Sequence, residues 1–130
     1  MKIVAAIARY LLGLIFLVFG SNTFLNFIPQ PPPPPGAAGE FSGLLQSTHY
    51  MYAVGAVMVV SAILLLANRF VPLALTLLAP VIVNIICFHA LMAPAGLPMA
   101  LFVAVLWGLV AYGVRSAFAG LLQVRVAETA

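Results

Sequence analysis

Few side chains in this sequence could bind a ligand or take part in a reaction, and long apolar stretches separate them. The candidates are polar or ionisable residues within or beside those stretches: Asn22, Glu40, His49, Asn84 and His89. Histidine ligates haem and metal ions, and amide or imidazole groups in apolar surroundings hydrogen-bond to neighbouring helices, waters or ligands. We treat these five as the candidate ligand-binding residues, and predict neither a catalytic residue nor a metal site.

The spacing of the candidates limits the site that they could form. His89 follows Asn84 by five positions, which is about 140° around a helix, so the two do not share one face. His49 and His89 would lie at similar depth on facing helices, where they could ligate a haem or a metal with Glu40 as a third ligand. A hydrogen bond from such a histidine to a neighbouring helix or a water is the plainer interpretation.

Other kinds of chemistry are excluded by composition. Cys87 is the only cysteine, which excludes an intramolecular disulfide, a CxxC redox pair and an iron–sulfur site ligated by cysteines. Five scattered cations and a net charge of +3 form no basic stripe, so we predict no nucleic-acid partner.

The overall composition indicates whether the folded protein is surrounded by water or by lipid. The chain has 130 residues, of which 65% are hydrophobic and 5% charged, and its mean hydropathy is +1.24. Soluble domains carry about 25% charged residues, so this chain has too few charged residues to cover the surface of a soluble globular domain. A chain this apolar would not remain disordered either. We predict an integral membrane protein whose first partner is the lipid bilayer.

Four apolar segments are long enough to cross a membrane as helices, which need about 20 residues. They span about residues 3–27, 50–67, 71–92 and 97–114, and the longest connection is an outer loop at 28–49. Helices satisfy their own backbone hydrogen bonds in lipid. We therefore predict an all-α membrane protein, a single four-helix transmembrane bundle over residues 1–130. The first segment lacks a convincing cleavage site and is expected to be retained.

The cations predict the orientation of the bundle. All of them fall before the first segment's core, between the second and third segments, or after the fourth, and the two opposite loops contain none: Lys2, Arg9, Arg69, Arg115 and Arg125. The positive-inside rule assigns that side to the cytoplasm. Both ends of the chain are therefore expected to be cytoplasmic.

The outer loop begins with a proline-rich stretch from Pro29 to Gly36. Its five consecutive prolines predict a stiff polyproline rod about 15 Å long, a rigid spacer rather than a ligand of cytoplasmic SH3 or WW modules. Phe41, Leu44 and Leu45 follow at helical spacing. We expect a short interfacial helix that serves either as a lipid-anchoring lid or as a cap over a cavity.

The third segment contains Pro80, which removes a backbone donor from the carbonyl of Thr76 and permits a kink. Thr76, Pro80, Asn84 and Cys87 recur at spacings of four, four and three, so they share a helix face. A polar residue near the bilayer centre needs a partner, and we expect Asn84 to face the bundle interior. Cys87 is expected to be a small, buried packing residue.

Glycines and Arg9 predict how the first segment packs. Gly13 and Gly20 are seven positions apart and permit a close helix approach, as Gly108 and Gly113 do more loosely in the fourth segment. Arg9 lies six positions into the first apolar run. Its guanidinium can return to the headgroups; the alternative is a charge inside the bundle that pairs with a substrate.

Several ordered motifs between about residues 9 and 114 resemble the DoxX-like family of small bacterial membrane proteins. The matching pieces are Arg9–Phe16 (RYLLGLIF) with Gly20 and Phe24, Leu64–Leu75 (LLLANRFVPLAL), Leu78–Ile85 (LAPVIVNI) and Phe88-His89. The resemblance implies a four-helix bundle in the bacterial cytoplasmic (inner) membrane. The family's name comes from an association with quinone-linked sulfur oxidation, and some members look like membrane partners of oxidoreductases. Asn84 and His89 match the family pattern.

Three functions are compatible with these residues. The leading hypothesis is a non-catalytic accessory subunit of a larger redox or bioenergetic membrane assembly, because titratable residues are nearly absent. The second is a free-standing binder or carrier of a quinone or lipid, with Asn84 and His89 as hydrogen-bonding groups near the outer face. The third is a haem- or quinone-dependent oxidoreductase that uses His49 and His89. Homo-oligomerisation is compatible with each of them.

Overall fold

The computed structural model describes residues 1–129, and its regular structure in that range is entirely helical. This confirms the predicted all-α class. Two short 3-10 helices, Pro94–Gly96 and Arg115–Leu122, accompany five α-helices. The α-helices are α1 (Lys2–Leu25), α2 (Ala37–Ser47), α3 (Tyr50–Leu66), α4 (Val71–Leu91) and α5 (Leu97–Gly113).

Three helical stretches within residues 1–129 are long and apolar enough to cross a membrane: α1, α4, and α5 with the 3-10 turn before it. α3 has 17 residues and is about 25 Å long at 1.5 Å per residue, slightly less than the hydrocarbon core. It joins α2 across an 81° bend, and this bent pair is a fourth candidate span. These spans confirm the helical membrane protein that the composition predicted.

α1 packs along α3 more extensively than on any other helix, because small residues line their contact. A Cβ atom added at Gly13 would lie 2.9 Å from Leu66 Cδ2, and one at Gly20 would lie 2.9 Å from Met58 Cβ. These distances are shorter than van der Waals contact. At this helix separation a Cβ atom at Gly20 would collide with Met58 Cβ, and one at Gly13 would have to displace the Leu66 side chain. The predicted role of these two glycines is confirmed, and a Cβ atom at Gly113 would lie 3.1 Å from Ala5 Cβ on α1. The prediction for Gly108 is wrong, because nothing lies within 4 Å of a Cβ atom added there.

The core lies between α1, α3, α4 and α5, where Leu12, Phe16, Leu65, Leu75 and Leu78 are almost fully buried. α4 and α5 are also joined by a hydrogen bond: the indole Nε1–H of Trp107 donates to the carbonyl of Leu75 at 2.9 Å. A buried indole needs such an acceptor. The bond ties the two helices a little more than one turn before Pro80.

α1 ends at Leu25 because two asparagines close it, whereas its apolar sequence continues to Phe27. Asn26 adopts a left-handed conformation with φ of 49°, which asparagine tolerates. Its N–H donates to the carbonyl of Asn22 at 3.0 Å, and the N–H of Ile28 donates to Asn22 Oδ1 at 2.8 Å.

The helices place the start of α1, the α3–α4 turn and the end of α5 at one end of the bundle, which we call the cation end. There the half-buried Arg9 donates a hydrogen bond to the carbonyl of Leu65, at the end of α3, and its guanidinium lies 4.4 Å from the ring centroid of Tyr10. A cation is favourable beside the last carbonyls of a helix. Arg9 therefore interacts with a neighbouring helix at the bundle's end.

Candidate functional site

A groove of about 840 Å³ runs along the side of the bundle, between α3 and α4 and beneath α2; we call it the lateral groove. Its walls are mainly apolar, with Val54, Val57, Val81 and Ile85 among the lining residues. Concave apolar surfaces of this size, with a few polar groups, are typical of small-molecule sites. The lateral groove is therefore the candidate functional site.

α2 forms a wall of the groove at the end of the bundle opposite the cation end. Phe41, Ser42 and Leu45 line the groove, and the Phe41 ring lies 5.8 Å from that of Phe88 on α4. The proline-rich segment contacts this wall: a Cβ atom at Gly39 would collide with the carbonyl of Pro34. Of the two predicted roles of the short helix, its contacts favour the cap over a cavity.

Asn84 lines the lateral groove rather than the bundle core. Its side chain is exposed in this structure, and its Nδ2 donates to the carbonyl of Pro80, one turn earlier, at 2.8 Å. The prediction that it faces the interior is wrong. Thr76 and Pro80 line the groove beside it, as their shared face requires, but Cys87 is exposed and outside the groove, so its predicted burial is also wrong.

His89 lines the groove near its α2 end and is half-buried. Its Nδ1 lies 3.1 Å from the carbonyl oxygen of Ala93. A carbonyl only accepts, so the hydrogen bond requires the proton on Nδ1, and in the neutral ring Nε2 is then an acceptor. Although Asn84 and His89 lie on different sides of α4, the groove extends around the helix beneath α2 and includes both.

The other three candidates lie outside the lateral groove. Asn22 is only 8% exposed, and its Oδ1 caps α1 as described. Glu40 is exposed in the first turn of α2. His49 is exposed, has a φ of 59° at the start of α3 and stacks on Tyr52 with ring centroids 5.2 Å apart.

The separation of the histidines bears on the metal and haem alternatives. His89 lines the groove and His49 does not. Within residues 1–129, no three His, Cys, Asp or Glu side chains are grouped closely enough to hold a metal ion. The described residues therefore do not group Glu40 with the two histidines as the predicted set of three metal ligands.

Three polar lining residues were not recognised in the sequence: Ser42, Gln46 and Tyr50. They recur every four positions, which is a helical period and could have indicated a common face. The chain bends by 81° between α2 and α3, so this period alone did not predict that they face one groove. Together with Asn84 and His89 they provide hydrogen-bonding groups in apolar walls.

Comparison with known proteins identifies the family. The family model for DoxX matches residues 4–91, more than half of the chain. The matched part includes α1 to α4 and thus every helix that forms the lateral groove. No curated protein and no solved structure matches the chain. The resemblance of its ordered motifs is confirmed, and the chain belongs to the DoxX family.

Proposed function

We propose that the protein binds a lipophilic molecule with a polar head group, a quinone or a lipid, in the lateral groove. The observation that carries this proposal is the position of Asn84, an amide within a largely apolar groove on the side of a membrane-crossing bundle. A groove on the side of the bundle is open to molecules dissolved in the bilayer. The amide supplies hydrogen bonds that lipid chains cannot.

The two polar side chains on α4 have complementary hydrogen-bonding capacities. Asn84 uses one N–H on the carbonyl of Pro80, which leaves its second N–H for a ligand carbonyl and its Oδ1 for a hydroxyl. His89 with its proton on Nδ1 offers Nε2 as an acceptor. A quinone carbonyl, a quinol hydroxyl or a lipid glycerol hydroxyl meets these groups, while a ring or acyl chain fits the apolar walls.

The substitution Asn84→Leu tests the proposal. Purified protein in nanodiscs is titrated with a short-chain ubiquinone analogue or with a monoacyl glycerol, and binding is followed by native mass spectrometry. Loss of a hydrogen bond to the bound ligand costs about 1–3 kcal/mol, so binding weaker by about fivefold or more is expected.

Cys87→Leu is the matched control, because Cys87 is exposed on the same helix but outside the groove. It should bind both probes as the unaltered protein does. Equal binding by Asn84→Leu and Cys87→Leu, or no binding of either probe to the unaltered protein, contradicts the proposal.

The orientation and location are part of the same proposal. Four spans over residues 1–130, with both ends of the chain in the cytoplasm, would place the lateral groove's α2 end and the proline-rich loop on the outer side of a bacterial inner membrane. The support is that Lys2, Arg9 and Arg115 meet at one end of the bundle, which the positive-inside rule assigns to the cytoplasm.

An accessory subunit is the second candidate, favoured by the scarcity of ionisable groups: five cations and two acids in the whole chain. Mild-detergent purification with mass spectrometry distinguishes it. Stoichiometric recovery of a larger membrane oxidoreductase supports the subunit. Recovery of this chain alone, as a monomer or a homo-oligomer, contradicts it and leaves the free-standing binder.

A further inference from the structure

A second cavity, of about 480 Å³, lies at the cation end; we call it the cation pocket. It is bounded by the first turns of α1, the α3–α4 turn and the end of α5. Lys2, Arg9, Asn68 and Arg115 line it, together with apolar residues such as Val71 and Val110. The cavity is separate from the lateral groove, with which it shares no lining residue.

The charge of this pocket is entirely positive. Three of the chain's five Lys and Arg residues line it, while neither acid, Glu40 nor Glu128, does. Glu40 lies in α2, at the other end of the bundle. Like charges held together at the edge of a low-dielectric bundle attract an anion more strongly than isolated surface cations do.

Both guanidiniums are held in place and retain donors for a ligand. Arg9 donates to the carbonyl of Leu65, and Arg115 donates to the carbonyl of Tyr112 at 2.8 Å. Each also lies over a tyrosine ring, 4.4 Å from the centroid for Arg9 and 4.2 Å for Arg115. A guanidinium carries five N–H donors in a rigid fork that suits phosphate oxygens, and these backbone bonds use few of them.

We propose that the cation pocket binds the phosphate of an anionic phospholipid. The pocket lies where membrane-crossing helices end, which is the level of lipid phosphates, and its apolar lining continues onto helix surfaces that acyl chains can cover. Basic pockets between transmembrane helices bind acidic headgroups in this way. This site goes beyond the groove's function and does not depend on it.

The test compares phosphatidylglycerol with phosphatidylcholine on the whole protein by native mass spectrometry. The unaltered protein should retain phosphatidylglycerol selectively. The double variant Lys2→Gln/Arg115→Gln changes two exposed residues and should fold, and each cation near lipid contributes about 1 kcal/mol. Binding about thirtyfold weaker is therefore expected. Arg9 is left in place because its bond to Leu65 also joins two helices.

Arg69→Gln/Arg125→Gln is the matched control, because it removes the same charge from positions outside the pocket. It should retain phosphatidylglycerol. Each single variant, Lys2→Gln or Arg115→Gln, should lose less binding than the double variant does. Equal loss in both double variants would mean attraction by net charge alone and would overturn the site. Displacement of the lipid by millimolar inorganic phosphate would assign the pocket to a soluble anion and overturn the lipid assignment.

Discussion

Asparagine serves three different purposes in this chain, and its local surroundings explain each. Asn22 is buried and closes α1 through the N–H of Ile28. Asn26 supplies the left-handed conformation that ends the same helix. Asn84 is exposed to the lateral groove and bonded only to its own helix by the contacts described, with Pro80 as its acceptor. Of these three asparagines, Asn84 is the one whose amide lines the lateral groove.

Asn22→Ala separates a structural amide from a binding one. The substitution removes the acceptor of the 2.8 Å bond from Ile28, which should lower the stability by about 1 kcal/mol. We expect a lower thermal midpoint in detergent and unchanged quinone or monoacyl glycerol binding below that midpoint. Weaker binding by the folded variant would place Asn22 in the ligand site and contradict this assignment.

The helices differ in how they are held: four of them form the packed core, and α2 lies against it as a wall of the lateral groove. α1, α3, α4 and α5 share the buried core, whereas α2 contributes only Ala38 to the buried residues. α2 instead contacts the proline-rich segment at Pro34, is bent by 81° from α3 and packs Phe41 against Phe88 of α4. The shape of the groove therefore depends on how α2 meets the prolines.

Gly39→Ala tests that dependence, with Gly43→Ala as its control in the same helix. A Cβ atom at position 39 collides with the Pro34 carbonyl, whereas nothing lies within 4 Å of one at position 43. Alanine is otherwise favourable in a helix by about 0.5–1 kcal/mol. We expect Gly39→Ala alone to weaken ligand binding. The same binding in both variants would show that the contact with the prolines does not shape the groove.

Both ends of the molecule carry polar residues, and the kinds of residue differ between the two ends. One end has the cation pocket, and the other has α2, Glu40 and the α2 end of the lateral groove. Between them the described surface is mostly apolar, with Leu101, Phe102 and Val105 exposed on α5. This distribution suits a helical bundle that crosses a lipid bilayer.

Cysteine labelling tests the proposed orientation in a Cys87→Ser background. Gly43→Cys lies in α2 and Ser116→Cys follows α5, so the two should face opposite sides of the membrane. In intact spheroplasts a membrane-impermeant maleimide should label Gly43→Cys and reach Ser116→Cys only after permeabilisation. The reverse pattern would invert the bundle and move the cation pocket to the outer side.

Much of this molecule could be predicted from the sequence, since backbone groups in lipid must pair within their own helix and apolar length alone then indicates spans. The membrane class, the helical class and the family followed from composition and ordered motifs. The close helix approach at Gly13 and Gly20 could also be predicted from the sequence, because glycine has no side chain and therefore lets two helices pack closely. These features depend on local sequence.

Tertiary structure alone decided which apolar surfaces face each other. α4 is apolar on most sides, so no periodic pattern distinguished its core face, with Leu75 and Leu78, from its groove face, with Asn84. Asn84 was expected inside because a polar group in lipid needs a partner, but the carbonyl of Pro80 on its own helix supplies one. The groove itself forms because the bend between α2 and α3 brings Phe41 of α2 against Phe88 of α4. These two residues are far apart in the sequence, and no local pattern encodes their contact.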